Sequence, residues 1–221
     1  MLDKGIGPPG YHQKYYLDRD WRAYTDILAR IVRYSSPGPI LDLGAGCGYL
    51  VEAVHLWGGL ATGLEGSVEA VELAKSRAPK LDMRHHRLSD PLPCESDSYQ
   101  TVVLNQVIEH LEPPIARRVV EESLRVLRPG GLLLIASPSS ANRYEAQIDP
   151  THINLMTPTE LKDLLIHSGF DRATSWDVAL PIFGKSWLLH GAATALFKVF
   201  PVDRLSASAN AMAFKPGDPQ L

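Results

Sequence analysis

The stretch Pro39-Ile-Leu-Asp-Leu-Gly-Ala-Gly-Cys-Gly48, followed by Glu65, constrains this chain more than any other. A short apolar run enters a turn in which every second residue is glycine, and a helical pattern leaves it. A second apolar run then ends in an acid 21 positions after Gly44. Strand, glycine turn, helix, strand and terminal carboxylate together are the way an α/β protein holds an adenosine-containing cofactor. The glycines let the backbone approach the ligand, and the acid accepts hydrogen bonds from ribose hydroxyls. The spacing is Gly44-x-Gly46-x-Gly48. Tyr49 occupies the place where the dinucleotide fingerprint needs its third glycine, which disfavours a nicotinamide-dependent oxidoreductase.

Around this motif, apolar runs alternate with helical patterns. The runs at 39–44, 60–65, 83–88, 100–105 and 131–137 are short and nearly continuous, as strands of a parallel sheet buried on both faces should be. Helices are predicted at about 48–57, 67–77 and 115–127, and two further strands at about 172–180 and 206–214. Pro113-Pro114 opens one helix, and Arg128-Pro-Gly-Gly131 reads as the turn that closes it. Thr157-Pro-Thr-Glu160 has the form of a capping box. Upstream, Trp21, Tyr24, Leu28, Ile31 and Val32 recur at helical spacing. Residues 1–36 are thus expected to be an arm and a helix. Residues 37–221 are expected to be one domain with an amphipathic helical insertion at about 183–203, which packs on the sheet and partly covers an acceptor site.

The hydrophobic-x-Asp-x-Gly-x-Gly-x-Gly pattern resembles motif I of the class I S-adenosylmethionine (SAM)-dependent methyltransferases. The segment Asn105-Gln-Val-Ile-Glu-His-Leu111 is similar to one common in small-molecule members such as the ubiquinone-biosynthesis O-methyltransferases. The resemblance spans about residues 37–215. It implies an α/β, doubly wound, Rossmann-like sheet of seven strands, mostly parallel with the last strand antiparallel. It also implies SAM as cofactor, S-adenosylhomocysteine as product, and transfer to a small-molecule acceptor, with oxygen as the expected target. On that footing Asp42, Gly44, Ala45, Gly46 and Gly48 would hold the methionine part of the cofactor. Glu65 and Gly66 would meet the ribose, Leu88 and Ser89 the adenine, and Asn105 and Gln106 the transferred methyl. The segment lacks the [DN]-P-P-[FY] motif of methyltransferases that act on nucleic-acid bases.

Asp149-Pro-Thr-His-Ile-Asn154 follows the fifth strand, at the edge where α/β sheets bind ligands. His152 is therefore the candidate general base or substrate contact, whereas His110 is read as structural. No Cys/His spacing suggests a zinc site, so no metal is expected. The net charge is −3 and no block of Lys or Arg occurs, so no nucleic-acid partner is expected. Two cysteines without a disulfide pattern, no apolar leader and no membrane-length apolar run lead to a cytoplasmic expectation without membrane contact. A SAM-binding protein without catalytic activity is the remaining alternative.

Overall fold

The computed structural model describes residues 20–142, 149–175 and 207–217. A 3-10 turn (Trp21–Tyr24) leads into α1 (Thr25–Tyr34), β1 (Ile40–Leu43), α2 (Tyr49–Leu56), β2 (Ala61–Glu65), α3 (Val68–Arg77) and β3 (Asp82–His85). Then come β4 (Tyr99–Asn105), a 3-10 turn (Ile108–His110), α4 (Pro113–Val126) and β5 (Leu127–Ala136). The series ends with α5 (Pro158–His167), β6 (Asp171–Ser175) and β7 (Ala211–Phe214). The strands form one sheet in the order β3-β2-β1-β4-β5-β7-β6. Strands β1 to β5 run parallel, and β7 lies antiparallel between β5 and β6. The order reverses at β1, so the crevice outside the carboxyl ends of β1 and β4 is where a ligand binds in such a sheet.

The continuous apolar runs follow from burial on both faces. Ile40, Val103, Leu132 and Leu134 face Ile27 and Ile31 of α1 and Leu50 and Val54 of α2. Their chain neighbours Leu41, Val102, Leu133 and Ile135 face Val119 and Val120 of α4 and Leu161 and Leu165 of α5. Consecutive strand residues point to opposite faces, so a strand covered on both sides has no polar alternate positions. The capping box forms as its sequence suggests: Thr157 Oγ1 accepts from the Glu160 amide, and the Glu160 carboxylate accepts from the Thr157 amide.

The last strand starts at Ala211, later than the expected 206, and two further boundaries differ from the sequence reading. Strand β3 stops at His85, because the His86 amide turns to the Glu65 carbonyl and the chain then folds into a turn closed from Asp90 to the Arg87 carbonyl. Strand β5 begins at Leu127 and carries Arg128-Pro-Gly-Gly131 inside it. The β4–β5 register slips between Tyr99 and Thr101, and the backbones of Gly130 and Gly131 pair with Lys215. Proline and glycine there make a bulge in a strand, not a turn before one. The part of the expected N-terminal arm before residue 20 and the helical insertion at about 183–203 lie outside the described residues.

Candidate active site

The glycine turn springs from the end of β1. The Gly44 and Ala45 amides both donate to the Leu64 carbonyl at the end of β2, and the Gly48 amide donates to Ala45. Gly44, Gly46 and Gly48 have φ of +72°, +52° and +74°, where a side chain is strained. A Cβ on Gly44 would come within 2.5 Å of Val107, and one on Gly48 within 2.9 Å of the Met83 sulfur. The protein's own packing therefore excludes side chains at these two positions, before any ligand is considered. Gly66 differs. A Cβ there would meet nothing closer than the His86 carbonyl at 3.8 Å, so the space beyond β2 is open.

Glu65 stands at the edge of that space. Its Oε2 accepts from the Gly46 amide at 2.8 Å and its Oε1 from the Ser67 amide at 2.7 Å. One carboxylate thus ties the glycine turn to the start of α3. A carboxylate offers about four lone-pair sites, so each oxygen keeps one to accept a hydroxyl. A vicinal diol such as ribose fits that donor–acceptor balance. Asp42 is buried in β1 on the same side. Burial, together with the nearby Glu65 charge, pushes its carboxyl up to about 8. The Glu65 carboxylate and the open space beside Gly66 suit an adenosyl cofactor with a ribose diol.

The second half of the site grows from the end of β4. Asn105 is half-buried, and Gln106 follows with φ +59°, a conformation few non-glycine residues adopt. The Gln106 amide donates to Ala136 at 2.7 Å, which holds the sharp exit from the strand. Val107 then packs under Gly44, joining this exit to the glycine turn. Leu88 is half-buried against the core and Ser89 is exposed on its turn. The expected cofactor residues therefore gather along the carboxyl ends of β1, β2 and β4, with Leu88 and Ser89 in the turn after β3.

The 3-10 turn carries Ile108, Glu109 and His110 to the loop at 149–154. The Asn154 amide donates to the Glu109 carbonyl at 2.9 Å, and Asn154 Nδ2 to the Ile108 carbonyl at 3.2 Å. His110 Nδ1 lies 3.0 Å from Thr151 Oγ1 and 3.2 Å from the Thr151 carbonyl. The Thr151 hydroxyl and amide donate to Asp149 Oδ1 at 2.6 and 2.9 Å. His152 Nε2 lies 3.9 Å from Asp149 Oδ2, and the two imidazole centroids are 4.8 Å apart. Burial lowers the His110 pKa, which Thr151 and Asp149 only partly offset. Burial works to raise Asp149, yet the Thr151 hydrogen bonds and the two histidines hold it below the usual carboxylate range.

Glu109 is fully buried and played no part in the sequence reading. One donor atom from each of Glu109, His110 and His152 lies within 4.8 Å of the others. Ligands on one tetrahedral zinc stand roughly 3.4 Å apart, given metal–nitrogen bonds of about 2.1 Å, so this limit is looser than an assembled metal site. No linear spacing announces the grouping, because 41 residues separate His110 from Thr151.

Residues 14–174 match a family profile described as a methyltransferase domain. The chain belongs to that family. A probable S-adenosylmethionine-dependent methyltransferase of Mycolicibacterium smegmatis is 30% identical over 74% of this chain and 62% of its own length. One from Mycobacterium tuberculosis H37Rv is 30% identical over 68% of this chain and 55% of its own. The chain thus spans about three-fifths of the length of these curated relatives. The ubiquinone biosynthesis O-methyltransferase of Roseobacter denitrificans is 28% identical over 71% of each. Among solved structures, a SAM-dependent methyltransferase from Archaeoglobus fulgidus superposes with a TM-score of 0.73 at 17% identity, covering 93% of this chain and all of that one. Haemonchus contortus phosphoethanolamine N-methyltransferase 2, in complex with S-adenosyl-L-methionine, gives 0.64 at 15% identity over 88% of this chain and 53% of that one. The sheet order and the family agree on a SAM-dependent methyltransferase fold, and SAM is the family's cofactor.

Proposed function

We propose that this protein transfers a methyl group from SAM to an oxygen of a small-molecule acceptor. One observation carries the reading. Two imidazoles and the Asp149–Thr151 pair meet at the carboxyl edge of the sheet, one turn beyond Val107, which itself packs on the glycine loop. SAM supplies an activated methyl and a sulfur that keeps the electron pair on departure. The protein's tasks are then to align the acceptor and to take its proton. Alignment of this kind can contribute about 7–11 kcal/mol toward lowering the barrier.

In this reading Glu65 accepts the ribose hydroxyls, while Asp42, Gly44, Ala45, Gly46 and Gly48 frame the methionine end. Gly66 borders the ribose, Leu88 and Ser89 the adenine, and Asn105 and Gln106 the methyl. His152 contacts the acceptor or takes its proton. A hydroxyl needs such a base, whereas a stabilised carbanion does not. The O-methyltransferase name of the Roseobacter denitrificans relative supports oxygen as the target. The chain's net charge of −3 suits a small acceptor better than a nucleic-acid backbone.

The test is incubation of the protein with SAM and a panel of phenols and catechols, 3,4-dihydroxybenzoate among them, with mass spectrometry of the products. Monomethylated ether is the expected outcome. Methylated carbon or amine products, with no ether, would contradict the oxygen assignment. Replacement of His152 by Ala should lower turnover by ~10²-fold or more and leave S-adenosylhomocysteine affinity unchanged. Equal turnover would remove His152 from the mechanism.

A further inference from the structure

The hydrogen bonds around Thr151 fix the protonation of His110. A threonine hydroxyl has one proton, and Thr151 gives it to Asp149 Oδ1 at 2.6 Å. A carboxylate can only accept. Thr151 Oγ1 can therefore only accept at its 3.0 Å contact with His110 Nδ1, and the Thr151 carbonyl at 3.2 Å can likewise only accept. Both contacts require the proton on Nδ1. In the neutral ring the lone pair then lies on Nε2. An acid that orients a catalytic imidazole is a recurring arrangement; here a threonine stands between the ring and Asp149, whose side chain is 25% exposed.

We propose that His110 is a further catalytic residue, the base whose Nε2 takes the acceptor's hydroxyl proton, with Thr151 and Asp149 as positioning residues and His152 as the acceptor contact. The inference rests on the oxygen-methylation reading above. The acceptor O–H bond would break toward Nε2 while the oxygen lone pair bonds the methyl carbon, whose bond to sulfur breaks with the electron pair kept on the sulfur of S-adenosylhomocysteine. Nδ1 keeps its proton and its contacts to Thr151, and the imidazolium later loses the Nε2 proton to solvent.

The charged form is stabilised through the same contacts, because Asp149 lies at the far end of the run. The ionisable groups that face His110 are Asp149 and His152 from the loop and Glu109 from its own turn. Burial keeps the ring neutral, hence ready to accept, at the pH where the reaction would run. The loop is stitched to the turn independently through Asn154, so its place does not depend on the His110 ring alone.

The experiment has two arms on the full-length protein with S-adenosylhomocysteine or SAM bound. In the first, ring nitrogens of ¹⁵N-histidine-labelled protein are read by NMR across pH. His110 is expected as the Nδ1–H tautomer with a bare Nε2. A proton on Nε2 in the neutral ring would overturn the proposal. In the second, His110→Asn keeps a donor where Nδ1 stands and deletes Nε2. With 3,4-dihydroxybenzoate as probe, kcat should fall ~10²-fold or more, with melting temperature and S-adenosylhomocysteine affinity unchanged. Asp149→Asn should move the acid limb of the pH–rate profile to lower pH, since it removes a charge that favours the imidazolium.

A kcat near wild type in His110→Asn would overturn the assignment. So would turnover lost to a chelator and restored by zinc, which would make the cluster a metal site. A wild-type protein that forms no ether with the probe would count against the oxygen reading itself. The tautomer arm would still decide the state of His110.

Discussion

At the residue scale, Glu65 and Asp42 are the two carboxyl groups beside the glycine turn, one tied to backbone amides and one buried. Glu65 already holds two backbone amides, so under the proposed ribose role its replacement costs both the loop tie and the hydroxyl contacts. Charged hydrogen bonds contribute about 1.5–3 kcal/mol each. Glu65→Gln is therefore expected to weaken S-adenosylhomocysteine binding by ten- to hundred-fold by calorimetry, and an unchanged affinity would remove Glu65 from the ribose site. Asp42 has a folded-state pKa near 8, above its ordinary value near 3.8. The folded protein thus keeps a proton that the unfolded chain loses, and stability falls as pH rises between those values. Asp42→Asn should flatten that slope and raise the melting temperature at pH 8 relative to wild type, with little change at pH 4. An identical slope would contradict the buried, protonated state. The places of Asp42, Glu65 and the glycines at the ends of β1 and β2 were legible because each holds a fixed place in a linear pattern. The proximity of Glu109 to His152 was not, since the two are distant in sequence and meet only in the fold.

At the scale of elements, local chemistry in the sequence and long-range pairing explain different boundaries. The capping box at Thr157 is contained within four residues and is visible from the chain alone. Thr157→Ala should cost about 1 kcal/mol, roughly 2–4 °C of melting temperature for a domain this size; no shift would mean the cap is not formed. The bulge at Arg128-Pro-Gly-Gly131 misled the sequence reading because its backbone pairs with Lys215, and no local window contains both. Position 44 shows a third case. Its glycine looks like a ligand-binding residue, yet the nearest obstacle to a side chain is Val107 from the fourth strand's exit. Gly44→Ala should destabilise by about 1–3 kcal/mol through strain and overlap, measured by urea unfolding. Val107→Ala in the same chain should recover part of that loss. A destabilisation untouched by the second change would show that the backbone conformation alone is responsible.

At the scale of the whole molecule, alternation of short apolar runs with helical patterns was enough to give a doubly wound sheet, because two-sided burial leaves a plain mark on sequence. The observed order, with β7 antiparallel between β5 and β6, agrees with the seven-stranded expectation. Among the described residues no helix is long and apolar enough to cross a membrane. The architecture brings distant segments to one edge, where Val107 joins the glycine turn to the turn that carries His110. Thermal unfolding with SAM, with S-adenosylhomocysteine and with NADH tests this arrangement most directly. A ligand at 100 times its dissociation constant stabilises by about 2.7 kcal/mol, which is roughly 5–10 °C for a domain of this size. A rise of that order with both adenosyl ligands, absent with NADH and diminished in Glu65→Gln, is the predicted result. A chain that melts at one temperature under all three conditions would contradict the account at its centre.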